Sequence, residues 1–214
     1  MRAMIGALVL AGLTAGWLVG AGGPSIFYSR EHRASRPPYV QITVERDGSA
    51  VYRESADDPD EQPVRFRLRP TETEEVFRLA EQLDRFQRPL ESNLKVADMG
   101  VKTFRWLEGD QNHEQKFNFS KDADARLLAD WFARMTETAE HYLRLERAAQ
   151  FDKLGTNKVL LELQVSAERN RLVAAELFLP LLDKIAKTES FLNMARSRAA
   201  GLAEGIRQAG GGGR

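Results

Sequence analysis

Apolar residues recur in steps of three and four along two long stretches of the C-terminal half. The first carries Leu128, Trp131, Phe132, Met135, Ala139, Tyr142, Leu145 and Ala149. The second carries Leu161, Val165, Leu172, Ala175, Leu179, Leu182, Ile185, Leu192, Ala195, Leu202 and Ile206. Such spacing puts each set on one face of a helix. Leu154-Gly155-Thr156-Asn157 supplies the break between them. Gly155 is placed to end the first helix in a left-handed conformation, and Thr156 or Asn157 to cap the second. The pattern predicts an antiparallel helical hairpin over Lys121–Arg207. The second helix, Asn157–Arg207, outruns the first by tens of ångströms at ~1.5 Å per residue. Pro180 sits in its middle and predicts a kink there, because proline lacks a backbone donor and clashes with the preceding turn.

Before these helices the period changes to two. Val40, Ile42 and Val44 alternate with Gln41, Thr43 and Glu45, which predicts a strand over Tyr39–Arg46. Asp47-Gly48 is a tight-turn pair, and Ala50–Glu54 returns as a second strand. Val64–Arg69 alternates again, with Phe66 and Leu68 to one side and three arginines to the other. Pro70 opens a helix in which Thr71 and Glu74 form a capping box, and Val76, Leu79, Ala80, Leu83 and Phe86 form the apolar face. Lys102–Leu107 and Gln115–Phe119 predict a second hairpin around the loop Glu108–His113. Ser120 is placed to cap the next helix, whose first turn carries Asp122 and Asp124. The stretch Leu90–Val101 fits no pattern.

Adjacent strands with short turns make an antiparallel sheet, and Phe66, Leu68, Phe104, Trp106, Phe117 and Phe119 need a cover. The expected fold is therefore α+β: an antiparallel sheet of about five strands covered by helices, with a long C-terminal helical hairpin kinked at Pro180. Trp106 and Trp131 should meet as buried residues on a facing strand and helix. The expected divisions are a sandwich domain over 39–135, a helical arm over 136–207 and a disordered tail over 208–214.

The N-terminus changes the picture of location. Ala3–Ser29 carries no charge, Arg2 precedes it, and Val19-Gly20-Ala21 ends an apolar run with small residues. This is the layout of a secretory signal peptide over 1–21, cleaved after Ala21. The alternative is an uncleaved membrane anchor, since about 20 apolar residues span a bilayer. Residues 22–38 then read as a linker ending in Pro37-Pro38. The expected place is periplasmic or secreted, or anchored and facing the periplasm.

Composition narrows the chemistry. Of 214 residues, 43% are hydrophobic, enough for a normal core. Basic and acidic residues balance at 31 each, so there is no overall electrostatic footprint for nucleic acid. With no cysteine, disulfides, thiolate metal sites and cysteine nucleophiles are excluded.

The segments ITVERDGSAVYRES, RFRLRPTETEEVFRLAEQL, KTFRWLEGD and QKFNFS resemble small exported bacterial α+β domains of unknown function. In element order they are also similar to the emfourin-type inhibitors of secreted metalloproteases. The resemblance covers about Tyr39–Met135, leaves out the long helices and transfers no functional residue. It implies an inhibitory role only through topology.

Candidate chemistry is sparse. HExxH, a phosphate loop, GxSxG and GxGxxG are absent. His32 falls in the linker and His113 in a loop. His141 follows Glu137 by one turn, a spacing that fits two metal ligands or a solvated pair. Glu137, Glu140 and Glu146 read as surface charges, and Trp131, Phe132 and Met135 as core. Arg65, Arg67 and Arg69 share one strand face, which Arg105 and Lys116 join if the strands assemble as argued. That face suits an acidic peptide or polymer, unless Glu45 and Glu54 neutralise it. Phe191, Leu192, Leu202 and Ile206 continue the apolar stripe beyond the reach of the first long helix and form a candidate helical interface. The expectation is an exported, non-catalytic protein that acts by contact with an unidentified partner or a second copy of itself. The alternatives are an inhibitor or polymer-binding module on the basic face, and a hydrolase built from scattered acids. No catalytic, metal or cofactor residue is assigned, no nucleic acid is expected, and a membrane is expected only if the N-terminal segment stays attached.

Overall fold

The chain enters the fold as a strand. The computed structural model describes residues 23–211; the expected leader 1–21 and the last tail residues 212–214 lie outside them. Strand β1, Ser25–Glu31, lies within the stretch read as a linker, and it is a central strand of the sheet. Its neighbours are β2, Tyr39–Glu45, and β5, Val101–Glu108, both antiparallel to it. The linker reading failed for a physical reason. A strand paired on both sides need not alternate cleanly, and Phe27 puts an apolar ring between inward Ile26 and Tyr28.

The remaining strands are β3, Ser49–Arg53, β4, Val64–Arg67, and β6, Gln111–Phe117. They form one open antiparallel sheet of six strands in the order β4-β3-β2-β1-β5-β6. The β2–β3 turn uses Gly48 at φ +86°, where its N–H donates to the Glu45 carbonyl at 2.9 Å. The second hairpin is tighter than expected. Gly109-Asp110 turns it, so the strand starts at Gln111, and His113 lies opposite Trp106 instead of in a loop.

Two antiparallel helices cover one face of the sheet. They are α1, Pro70–Gln82, and α2, Ala123–Phe151. Their buried stripes meet Tyr28, Val40, Ile42, Tyr52, Phe104 and Trp106 in one core. Phe132 stacks on Tyr28 with ring centroids 4.5 Å apart, and Phe77 of α1 meets Trp106 edge-on at 5.8 Å. Trp106 therefore packs under α1. Trp131 is only partly buried, with the Arg134 guanidinium over its ring at 4.5 Å. The expected Trp106–Trp131 pairing does not occur, because the inward position on α2 belongs to Phe132.

The caps also shift. Pro70 occupies the first helical position, so Arg69 is the N-cap of α1, and the Glu72 carboxylate accepts its N–H at 2.8 Å. Asp122, two residues after Ser120, caps α2 by accepting from the N–H groups of Asp124 and Ala125. The unassigned stretch before β5 is an ordered loop. Glu91 accepts from the N–H of Asn118, whose side chain in turn holds Met99 and Ala97, while Lys102 Nζ binds three carbonyls beneath it.

The second long helix is three helices. These are α3, Thr156–Glu168, α4, Leu179–Lys187, and α5, Asn193–Gly211. The break falls between Arg169 and Ala174 and not at Pro180, which sits in the first turn of α4, where its missing N–H costs nothing. Gly155 is not left-handed, with φ −73°; it is the N-cap of α3 and donates to Asp152 Oδ1 at 2.8 Å. An added Cβ would collide with that carboxylate. The C-terminal half of α2 packs with α3, α4 and α5 around a second core of Leu145, Leu160, Leu163, Phe178, Leu182, Ile185 and Phe191. Helix α5 continues through 208–211, residues expected to be tail.

Candidate functional site

Helices α3 and α5 run side by side at the root of the arm, and the gap between them is a cavity of about 580 Å³. Leu172, Ala175, Leu202 and Ile206 supply its apolar lining. Gly201, Gly205 and Ala209 add a strip of small residues at helical spacing to its α5 wall. A Cβ at Gly201 or Gly205 would meet nothing within 4 Å, so the fold itself does not require glycine at either place. Each costs about 0.5–1 kcal/mol relative to alanine in a helix interior.

Three guanidinium groups line the same groove. Arg69 is ion-paired with Glu176 of the turn before α4 at 2.8 Å. Arg198 donates to two neutral acceptors, Asn157 Oδ1 at 3.2 Å and Gln164 Oε1 at 2.6 Å. Arg134 lies on Trp131, and its Nε is buried with no protein acceptor. Neither Arg134 nor Arg198 joins an ion pair among the described residues. The acids in the groove are committed elsewhere. Glu72 accepts the backbone N–H groups of Arg69 and Ala174, and Glu168 accepts the Gln164 amide. Among the residues that line the groove, no nucleophile is paired with a base.

The five basic residues expected on one face are divided by the sheet order. Across the uncovered face the register runs Arg65, Val51, Thr43, Phe27, Arg105, Glu114. Four strand spacings of ~4.8 Å put Arg65 roughly 19 Å from Arg105. Arg105 lies over Phe27 and pairs with Glu114, which also takes Lys116 at 3.4 Å. Arg67 pairs with Asp47 at 3.1 Å, and Arg69, past the end of β4, turns to Glu176. Arg65 alone of the five is exposed with no ion pair among the described residues. The face is discontinuous because β1, missing from the sequence reading, inserts between β2 and β5.

The candidate helical interface is also divided. Phe191 and Ile206 are buried in the second core, Leu202 is partly buried against it, and only Leu192 is largely exposed. The bends between α3, α4 and α5 fold the stripe back on its own arm.

His141 is buried and fully engaged. Its Nδ1 meets the Arg144 guanidinium at 2.9 Å and its Nε2 meets Ser166 Oγ at 2.8 Å. Arginine only donates, so Nδ1 accepts and the ring is neutral with its proton on Nε2. Burial, then the Arg144 charge, holds its pKa below the ordinary value. Glu137 does not face it but clamps Arg171 at 2.7 Å, with Asp130 on the same guanidinium. Among the described residues no group of three metal-ligating side chains forms. Glu140 is half-buried with its pKa raised by burial, and lines a smaller cavity of about 300 Å³ with Glu54, Arg36, Arg144 and Arg147. Glu146 remains at the surface beside Tyr142. No protein-family model matches the chain, and no curated protein is detectably similar to it.

The sequence reading passed over the groove. The signal was there: glycines at 201 and 205, four apart in a helical stretch, have no place in a stripe built to bury side chains. Arg134 and Arg198 carried no signal, because only the fold brings them to one place.

Proposed function

We propose that the protein is exported and acts without catalysis, by holding a partner protein in the envelope through the outer end of its helical arm. One observation carries this reading. At the arm tip Phe151 and Leu154 are each 76% exposed, Met194 63% and Leu192 46%. They sit on two neighbouring turns, because Lys153 Nζ reaches Ser190 Oγ at 2.8 Å and Asn157 lies against Met194. Clustered apolar surface of this kind marks a contact site. The charges around it are mixed, with Asp152 and Glu189 beside Lys153, which suits a protein surface better than an anionic bilayer. The location rests on the N-terminal pattern, and cleavage after Ala21 would leave β1 and the whole sheet intact. No helix of the described residues is long and apolar enough to cross a membrane.

The test is the double substitution Phe151→Ser with Leu154→Ser, followed by crosslinking in the native envelope fraction. Exposed positions tolerate such changes within about 0.5 kcal/mol, so melting should not move. A crosslinked protein lost in the variant supports the reading, and unchanged crosslinks overturn it. Equilibrium sedimentation separates a foreign partner from a second copy. N-terminal sequencing of the native protein checks export: a start at residue 22 supports it, and a cytoplasmic product starting at Met1 refutes it.

A further inference from the structure

We propose that the groove between α3 and α5 is a binding site for a free single-chain carboxylate amphiphile, a fatty-acid-like ligand with its head on Arg134. This site is separate from the arm tip and stands without the reading given for it. The cavity of about 580 Å³ lies in the range of small-molecule sites. A helix of ~10 Å diameter laid along the same wall would occupy roughly twice that volume, so most of it would stay outside. The wall from Arg198 to Ala209 is ~17 Å long at ~1.5 Å per residue. It offers Gly201, Gly205, Leu202 and Ile206 to a narrow apolar chain. The space in front of both glycines is open, so only a large side chain there would reach across the groove.

The head is assigned by what Arg134 lacks. Its plane is held by Trp131, its Nε is buried, and no carboxylate pairs with it among the described residues. That Nε is closed off from the groove, so the contact falls to the two terminal nitrogens of the guanidinium, whose parallel N–H bonds match a carboxylate at two points, which an alcohol cannot reproduce. The apolar floor then takes the chain, and Arg198 at the far end contributes its methylene stem.

The experiment is calorimetric titration of the full chain with monomeric dodecanoate, with dodecanol as the neutral probe. Saturable one-to-one binding is expected, at least tenfold weaker for dodecanol. Arg134→Gln should weaken it at least tenfold. Gly205→Leu should do the same while leaving the melting temperature unchanged or raised, because the position is open and leucine favours a helix. Gly201→Leu serves as the second blocking variant if Gly205→Leu does not fold. Absence of saturable binding by the wild type overturns the proposal, as does equal affinity for dodecanol. So does binding that survives both Arg134→Gln and a folded blocking variant. Anionic phospholipid vesicles provide the last arm: Arg134-dependent binding to vesicles without binding of free dodecanoate would assign the site to a membrane headgroup and overturn the free-ligand assignment.

Discussion

Tyr28→Ala decides whether the residues before Tyr39 belong to the core. The tyrosine is 2% exposed on β1, stacked on Phe132 at 4.5 Å with ring planes 10° apart and tilted against Phe104 at 5.8 Å. Burial pushes its phenol pKa up to about 12, so the side chain is neutral at any working pH. Truncating a buried aromatic to alanine costs about 3–5 kcal/mol through lost transfer energy and the cavity left behind. Stacking contributes ~0.5–1.5 kcal/mol beyond burial, so a loss near 4 kcal/mol is expected. With a urea slope of ~2 kcal/mol per molar, the midpoint should fall by roughly 2 M. Tyr28→Phe keeps the ring and should stay within ~1 kcal/mol. The assay is urea unfolding followed by tryptophan fluorescence, since Trp106 is in the same core. A loss below 1 kcal/mol for Tyr28→Ala would mean that β1 does not fill the centre of the sheet, and the order of strands would have to be redrawn.

Thr138→Val leaves the buried N–H of Val173 without its acceptor, 3.1 Å away in the wild type, and should cost about 1–3 kcal/mol in urea unfolding. Gly155→Ala displaces the Asp152 carboxylate from the turn between α2 and α3; losing this cap should lower stability by ~1 kcal/mol, read as a lower melting temperature. His141 has a depressed pKa in the folded state, so its contribution is complete above the ordinary value of 6.5 and is lost as pH falls through the folded pKa. Glu140 has the opposite sign, its contribution present below its ordinary 4.5 and lost as pH rises through the folded pKa. The stability difference between wild type and His141→Gln should therefore be flat above pH 6.5 and shrink below it; parallel curves across that range would refute the neutral buried assignment.

Where side chains alternate or recur strongly, the fold was legible. Val40, Ile42, Val44, Phe66, Phe104 and Trp106 all point inward as their period predicts, and α2 begins within two residues of its expected start. What was illegible has specific causes. β1 follows an uncharged run without a boundary, and Phe27 on the open face erases its alternation. The basic residues looked like one face only while that strand was missing. The groove depends on residues from four helices and the segment between α3 and α4, and a single chain's pattern cannot show that Arg134 of α2 and Gly205 of α5 line one cavity. The polar clamps are likewise tertiary: nothing in Glu137 announces Arg171 thirty-four residues away.

Those clamps explain why the second long helix breaks where it does. From Glu168 to Ala174 the sequence still has helical periodicity, with Leu172 and Ala175 in phase. Yet Asn170 and Ala174 are left-handed, at φ +55° and +48°. Asparagine tolerates that conformation through its short side chain, but alanine has no such compensation and must be held there. Four side chains from the covering helices do the holding. Thr138 of α2 accepts from the N–H of Val173, Glu72 of α1 accepts from that of Ala174, and Glu137 with Asp130 fixes Arg171. The same Glu72 caps α1 at Arg69, so the start of a sheet-covering helix and the turn that reverses the arm depend on one carboxylate. Helix α2 runs unbroken through both cores, so it joins the arm to the sandwich with no loop between them.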